Sequence, residues 1–170
     1  MILSFSTIQL RRIDFNDIEL LRHWRNDQKI VQFMFYKKHI SKEMQRKWFL
    51  SLNETDFYFI IEYQNKPLGL INLADEQIAE QAAFAGLFIY DESYWGTQVP
   101  VLASLCLLRF AFEDRKLESV YAKIQKSNVH AKIYNRNLGF RDFDQELQRI
   151  DKASYKDIVQ PLLRRIERRM

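Results

Sequence analysis

A chain of 170 residues with one cysteine, Cys106, cannot close an internal disulfide. That cysteine lies inside the apolar run 101–112, so it reads as a small core residue, and a reducing, cytoplasmic setting is expected. Only four glycines and three prolines are present, and nowhere do they cluster into a linker; no internal repeat or low-complexity stretch appears either. One domain over residues 1–170 is therefore expected. No apolar run reaches the length of a membrane span, and the start, MILSFSTIQLRR, lacks both the basic opening and the apolar core of a secretion signal. No membrane role is expected.

Excess charge is also scarce. The net value is +4, and much of it comes from Arg164, Arg165, Arg168 and Arg169. Residues 161–170 read as a solvated or frayed basic tail. Aromatic residues are not interleaved with that tail, so a nucleic-acid partner is not expected. No metal is expected. What the chain does have is apolar material: 47% hydrophobic and 14% aromatic residues are enough for one core.

The periodicities give an ordered series of elements. Residues 7–12 read as a first strand, and Asp14 or Asn16 as the cap of a helix whose inner positions are Ile18, Leu21 and Trp24. The segment 30–39 is aromatic and basic without helical or strand periodicity, and reads as a loop or short helix lining a pocket. Ser41 caps a second helix, with Met44, Trp48 and Phe49 expected on one face. Residues 57–63 and 68–73 form a hairpin about Gln64-Asn65-Lys66-Pro67, and 82–90 is a continuous apolar strand suited to mid-sheet. A helix over 99–114 and a strand over 119–125 follow. After residue 145 the pattern weakens, and 153–159 reads as a last strand.

The most informative stretch is 128–140, NVHAKIYNRNLGF. Ala131, Ile133, Tyr134 and Leu138 recur at helical spacing, Gly139 stands where a left-handed residue ends a helix, and Phe140 opens a new apolar run. This string resembles the last signature helix of the GNAT superfamily of acyl-CoA-dependent N-acetyltransferases. The order of elements over residues 7–144 resembles that family too. The resemblance implies an α/β (α+β) fold: a mixed, mostly antiparallel central sheet with helices on both faces.

It further implies acetyl-CoA as co-substrate, Asn128 and Lys132 at the cofactor, and Tyr134 as the general acid that protonates the departing thiolate. The loop Tyr94-Trp95-Gly96-Thr97-Gln98-Val99-Pro100-Val101 stands where the family wraps the cofactor's pyrophosphate, which brings Trp95, Gly96, Thr97, Gln98, Val99 and Val101 to it. Gln98 and Pro100 depart from the family's small residues. A non-glycine residue at positive φ there would cost about 1–2 kcal/mol, and proline removes one N–H. Leu87, Phe88 and Ile89 lie on the strand whose main chain pairs with the pantetheine arm in the family, with groups around Phe88 expected to polarise the thioester.

The acidic residue common on that strand is missing, since the chain reads Ala83-Phe84-Ala85-Gly86. Asp75, Glu76 and His39 are the candidates for a base, with a water relay as the alternative. For the acceptor, Trp24-Arg25-Asn26 followed by Gln32-Phe33-Met34 and His39-Ile40 is similar to acetyltransferases of nucleotide-linked aminosugars, and the WRN element also to those of ribosomal-protein N-termini. The expected acceptor contacts are Trp24, Phe33, Tyr36, Lys37 and Asp75, with Phe35, Trp48 and Lys38 beside them. A small-molecule amine, a sugar nucleotide or a protein N-terminus is the implied partner, a homodimer is compatible with the sequence, and a degenerate, non-catalytic binding module is the rival class.

Overall fold

The structure, a computed structural model, describes residues 1–74 and 81–169. Eight strands form one sheet in the order β1-β2-β3-β4-β5-β6-β8-β7: β1 Ile2–Phe5, β2 Ile8–Arg12, β3 Phe57–Tyr63, β4 Lys66–Ala74, β5 Ala82–Ile89, β6 Ser119–Lys123, β7 Arg141–Asp142 and β8 Leu147–Asp151. All neighbours are antiparallel except β5 and β6. The expected mixed, mostly antiparallel sheet is observed, with helices on both faces.

Local chemistry accounts for the elements. Asp14 caps a 3-10 turn at Phe15–Asp17 in a reciprocal capping box with Asp17, and the chain runs on into α1, Ile18–Asn26. Asp17 also takes both terminal nitrogens of Arg11 at 2.8 and 2.9 Å, while Arg11 Nε donates to Glu62 at 2.8 Å. This ties α1 to β2 and β3. The short α2, Gln28–Val31, is capped by Asp27, and α3, Lys42–Leu50, by Ser41. The β3–β4 turn places Gln64 and Asn65 at φ 49° and 61°, the left-handed pair that a two-residue hairpin loop requires.

The larger core lies between the sheet and α4, Gln98–Arg109, which ends in a π-helical turn at Phe110–Asp114. Phe57, Phe59, Ile61, Ile71 and Leu73 meet Leu102, Leu105 and Phe110 there. Cys106 is buried in the same layer, and burial pushes its thiol up to about 11, which keeps it protonated and inert. On the opposite face α1 and α3 cover a smaller core of Leu21, Trp24, Ile60 and Leu70.

Four expectations are corrected. Residues 2–5 form a strand, because Ser6 at φ 55° lets the N-terminus fold back along β2. Residues 153–159 are not a strand: α6 Lys152–Ser154, a π-helical turn Tyr155–Val159 and α7 Gln160–Glu167 follow one another, and Tyr155, Val159 and Leu163 are buried at four-residue spacing. The last long strand is instead β8. Most of the basic tail is α7, with Leu163 inward and its arginines outward. On α3, finally, Met44 is exposed and Gln45 is fully buried in its place. Among the described residues no helix is long and apolar enough to cross a membrane, and no group of three or more metal-ligating side chains occurs.

Candidate active site

The site begins as a break in the sheet. Strand β5 pairs with β4 as far as Ile89, but with β6 only as far as Phe84 opposite Tyr121. Tyr90 N–H donates to Leu68 O at 2.7 Å, whereas Gln81 O accepts from Glu118 N–H at 2.8 Å on the other side. Main-chain groups alternate along an extended strand, so those of Ala85, Leu87 and Ile89 face away from β4. Leu87 thus stands on an open edge. Ile89 does not offer its carbonyl there, because Trp95 Nε1 donates to it at 2.9 Å. Phe88 directs its main chain to β4 and its ring towards Trp24, 6.2 Å between centroids. The main chain facing the gap is therefore that of Leu87, not Phe88.

At one end of the gap is the start of α4. Thr97 caps it, accepting from Val99 N–H at 3.3 Å and donating to Tyr94 O at 2.7 Å. In the 94–101 loop only Gly96, at φ 74°, has a left-handed backbone, and a Cβ built there meets nothing within 4 Å. Gln98 is the first helical residue, so the expected strain at that position is absent. Pro100 is the third, where its missing N–H removes no helical bond. Among the described residues the N–H groups of Gly96 and Gln98 have no acceptor, and they fit an anion at this helix end. Val101 is half-buried one residue further along.

Helix α5, Val129–Asn137, lies beside α4. Asn128 caps it, its Oδ1 accepting from Ala131 N–H at 3.1 Å, which leaves the side-chain amide nitrogen for another partner. Lys132 Nζ donates to Gln145 O at 2.7 Å, and so holds the chain leading into β8. Tyr134 has its hydroxyl in the α4–α5 contact: it donates to Pro100 O at 2.8 Å and shares a 2.8 Å bond with Ser104 Oγ. Burial raises its pKa, and the Ser104 bond opposes this only in part. The phenol is thus strongly held as a neutral group, with its proton directed at a carbonyl.

On the α1 face, Tyr58, Asn72 and Gly86 are cross-strand partners in one row across β3, β4 and β5. Gly86 leaves this floor open, since an added Cβ would sit 2.7 Å from Asn72 Oδ1. Trp24 is buried against Tyr90 and Phe88, so it supports an end wall without presenting a surface to an acceptor. Trp48 is half-buried, edge-on to Tyr58 at 4.9 Å. The 32–40 segment spans the mouth: Asn26 brackets Ile40 with two hydrogen bonds of 2.8 and 2.9 Å, while Gln125 Nε2 donates to Met34 O at 2.6 Å from the end of β6. Lys123 Nζ lies 5.2 Å from the Phe35 ring centroid.

Of the expected acceptor contacts, Phe33 is 41% exposed and Tyr36 is 45% exposed, with Lys37, Lys38 and His39 exposed beside them. Asp75 and Glu76 lie outside the described residues. Ser104, Asn72, Asn26 and Gln125 were not singled out from sequence; only Asn26 carried a signal, in the WRN string.

A sheet split between its one parallel pair of strands, with a helix N-terminus at the opening, is the arrangement of an acyl-CoA-dependent transferase. Residues 7–141 match the family described as Acetyltransferase (GNAT) domain, and the chain belongs to that family.

Among curated proteins, an uncharacterized protein of Methanocaldococcus jannaschii is 25% identical over 140 residues, 80% of this chain and 28% of that protein, so the chain spans little more than a quarter of that relative. Three solved structures share the fold. Apo FdhC, a nucleotide-linked sugar GNAT, superposes with a TM-score of 0.80 at 20% identity, covering 96% of this chain and 97% of that one. The spermidine N-acetyltransferase of Vibrio cholerae in complex with CoA and spermine gives 0.79 at 17%, covering 89% and 99%. RimL, the ribosomal L7/L12 alpha-N-protein acetyltransferase in complex with coenzyme A, gives 0.73 at 17%, covering 89% and 98%.

Proposed function

We propose that the protein moves acetyl from acetyl-CoA directly to the primary amine of a nucleotide-linked aminosugar. The observation that carries this reading is the gap at Leu87, between the α4 N-terminus and the α1 face of the sheet, where Tyr58, Asn72 and Gly86 form one cross-strand row. Acetyl-CoA supplies the activated acyl group. The N–H groups of Gly96 and Gln98 hold its pyrophosphate, Leu87 pairs with its pantetheine arm, and the side-chain amide of Asn128 donates to it. The acceptor enters from the other side, under the 32–40 segment, with Tyr36 and Phe33 against its base or sugar and Lys37 at its diphosphate.

The cationic rim formed by Lys37 and Lys38 disfavours a polyamine. A protein N-terminus is the second reading, supported by the open, exposed mouth at Phe33 and Tyr36. With no carboxylate on β5 before Gly86, the ammonium loses its proton through water.

The role of Tyr134 divides into two forms. As a positioning residue it clamps α5 to the first turns of α4. As an acid it would give its proton to the thiolate and recover one from water, with Ser104 Oγ–H donating to the transient phenolate. The contacts to Pro100 and Ser104 favour the first, so Tyr134→Phe is expected to lower stability by about 1 kcal/mol and leave kcat within tenfold. A loss of kcat of a hundredfold or more in a folded variant would make Tyr134 the acid. The test of the proposal as a whole is titration calorimetry with acetyl-CoA, followed by parallel assays of an aminosugar nucleotide and an N-terminal peptide. Micromolar binding and turnover of the sugar are expected; no binding would leave a non-catalytic module.

A further inference from the structure

Three partly buried arginines elsewhere in the fold have anionic partners, while Arg12 donates to the main-chain carbonyls of Glu54 and Asp56 and Arg149 lies over the Tyr121 ring with its Nε unpartnered among the described residues. Arg11 is held by Asp17 and Glu62, Arg22 by Glu19, and Arg109 by Glu167. Arg25 is different. It is half-buried at the end of α1, its guanidinium 5.6 Å from the Trp48 ring centroid, and among the described residues it has neither an ion pair nor a hydrogen-bond acceptor. Burial lowers its pKa, and only the Tyr58 and Tyr36 phenols oppose that shift. A guanidinium remains charged in any protein environment, so it sits beside the Trp48 ring with no anion to compensate it among the described residues.

Its place relative to the gap is fixed by the sheet. Arg25 lies over the Trp48 ring, which packs edge-on to Tyr58, and Tyr58 has Asn72 and then Gly86 as cross-strand partners, next to Leu87. Two inter-strand spacings separate β3 from β5, roughly 10 Å. A group bound at Arg25 is thus several bonds from an amine at the gap. Asn26, the next residue, pins Ile40, so the segment carrying Lys37 and Lys38 is anchored beside Arg25. Neither lysine has an ion pair among the described residues.

We propose that Arg25, stacked on Trp48, is the residue that selects the acceptor, by binding a phosphate of that acceptor while Lys37 and Lys38 meet the remaining charge. This deepens the transferase reading and rests on it. A guanidinium held over an indole can still present its N–H fork to a bidentate pair of oxygens. Three cations with no internal counter-charge among the described residues fit a diphosphate better than a single carboxylate.

The test is calorimetric titration of inorganic pyrophosphate into the full chain with coenzyme A already saturating, so that the α4 site is filled; glutarate is titrated in parallel. Saturable pyrophosphate binding is expected, weakened at least tenfold in Arg25→Gln and less in Arg25→Lys, with coenzyme A affinity equal in all three proteins. Equal pyrophosphate affinity in wild type and Arg25→Gln, absence of saturable binding, or preference for glutarate would overturn the assignment. If Arg25→Gln does not fold, Arg25→Lys and Trp48→Leu carry the test, each expected to weaken pyrophosphate severalfold. Failure of coenzyme A to bind is a separate result that removes the transferase reading instead.

Discussion

The two faces of the sheet are built differently. Under α4 the packing is dry and continuous, with Phe57, Phe59 and Phe110 interlocked at ring separations of 5.0–6.4 Å. Under α1 and α3 the buried core among the described residues is four apolar residues, with polar groups nearby: Asn72 on the sheet, and Gln45 without a hydrogen-bond partner and Arg25 without a counter-ion among those residues. The first face carries stability. The second is less densely packed with apolar groups, and its polar groups suit the acceptor site proposed there.

The sharpest way to break that contrast is Phe59→Ala. It empties a fully buried site on the dry face and is expected to cost about 3–5 kcal/mol, read as a lower denaturant midpoint. A comparable truncation at Trp48, which is only half-buried, should cost clearly less; equal losses would mean that the α1 face is as structural as the other.

The junction between the faces gives a smaller effect. Burial raises the Asp17 carboxyl, but the Arg11 bonds and the Asp14 N–H outweigh it and leave its pKa below the ordinary value. Depressed in the folded state, it contributes stability that is present above about pH 4, the unfolded value, and is lost as pH falls through the lower folded one. Asp17→Asn should remove about 2 kcal/mol at pH 7 and flatten the acid limb of a Tm-against-pH curve. An unchanged acid limb would place the junction elsewhere.

The smallest effect has the opposite sign. Gln45 is fully buried and both of its amide atoms lack partners, so Gln45→Met should raise stability by about 1 kcal/mol. A loss on that substitution would show that the amide is satisfied by something bound on the α1 face.

The same asymmetry decided what could be read from sequence. Elements facing the dry core announce themselves: 57–63, 82–89 and 98–109 are apolar runs whose position in the fold follows from composition. The signature helix was legible down to Gly139, observed at φ 93°. Where polar residues turn inward the signal fails. Gln148 is buried on β8, held by Asp142 at 2.8 Å, so the period of that strand is hidden and the segment 153–159, with Tyr155, Ile158 and Val159, reads as a strand instead. Gln45 displaced Met44 on α3 for the same reason.

Of the candidate site, the 94–97 loop and Asn128 were legible because backbone chemistry fixes them. Tyr134 was legible as an inner-face residue, but its partners on α4 were not. The bonds from Asn26 and Gln125 to the 32–40 segment join residues 14 and 91 positions apart, and no local pattern encodes such a distance.

The indole of Trp95 on the Ile89 carbonyl bears on how the folded chain behaves among its own copies. A sheet opened in its middle exposes a strand edge, and such an edge can template the addition of another chain. With Ile89 sealed by Trp95 and pairing to β6 intact through Phe84, the unpaired stretch is only the few residues about Leu87. That is long enough for one extended arm of a small molecule. It is too short to nucleate a foreign strand, so the opening that admits a ligand does not become a seed for aggregation.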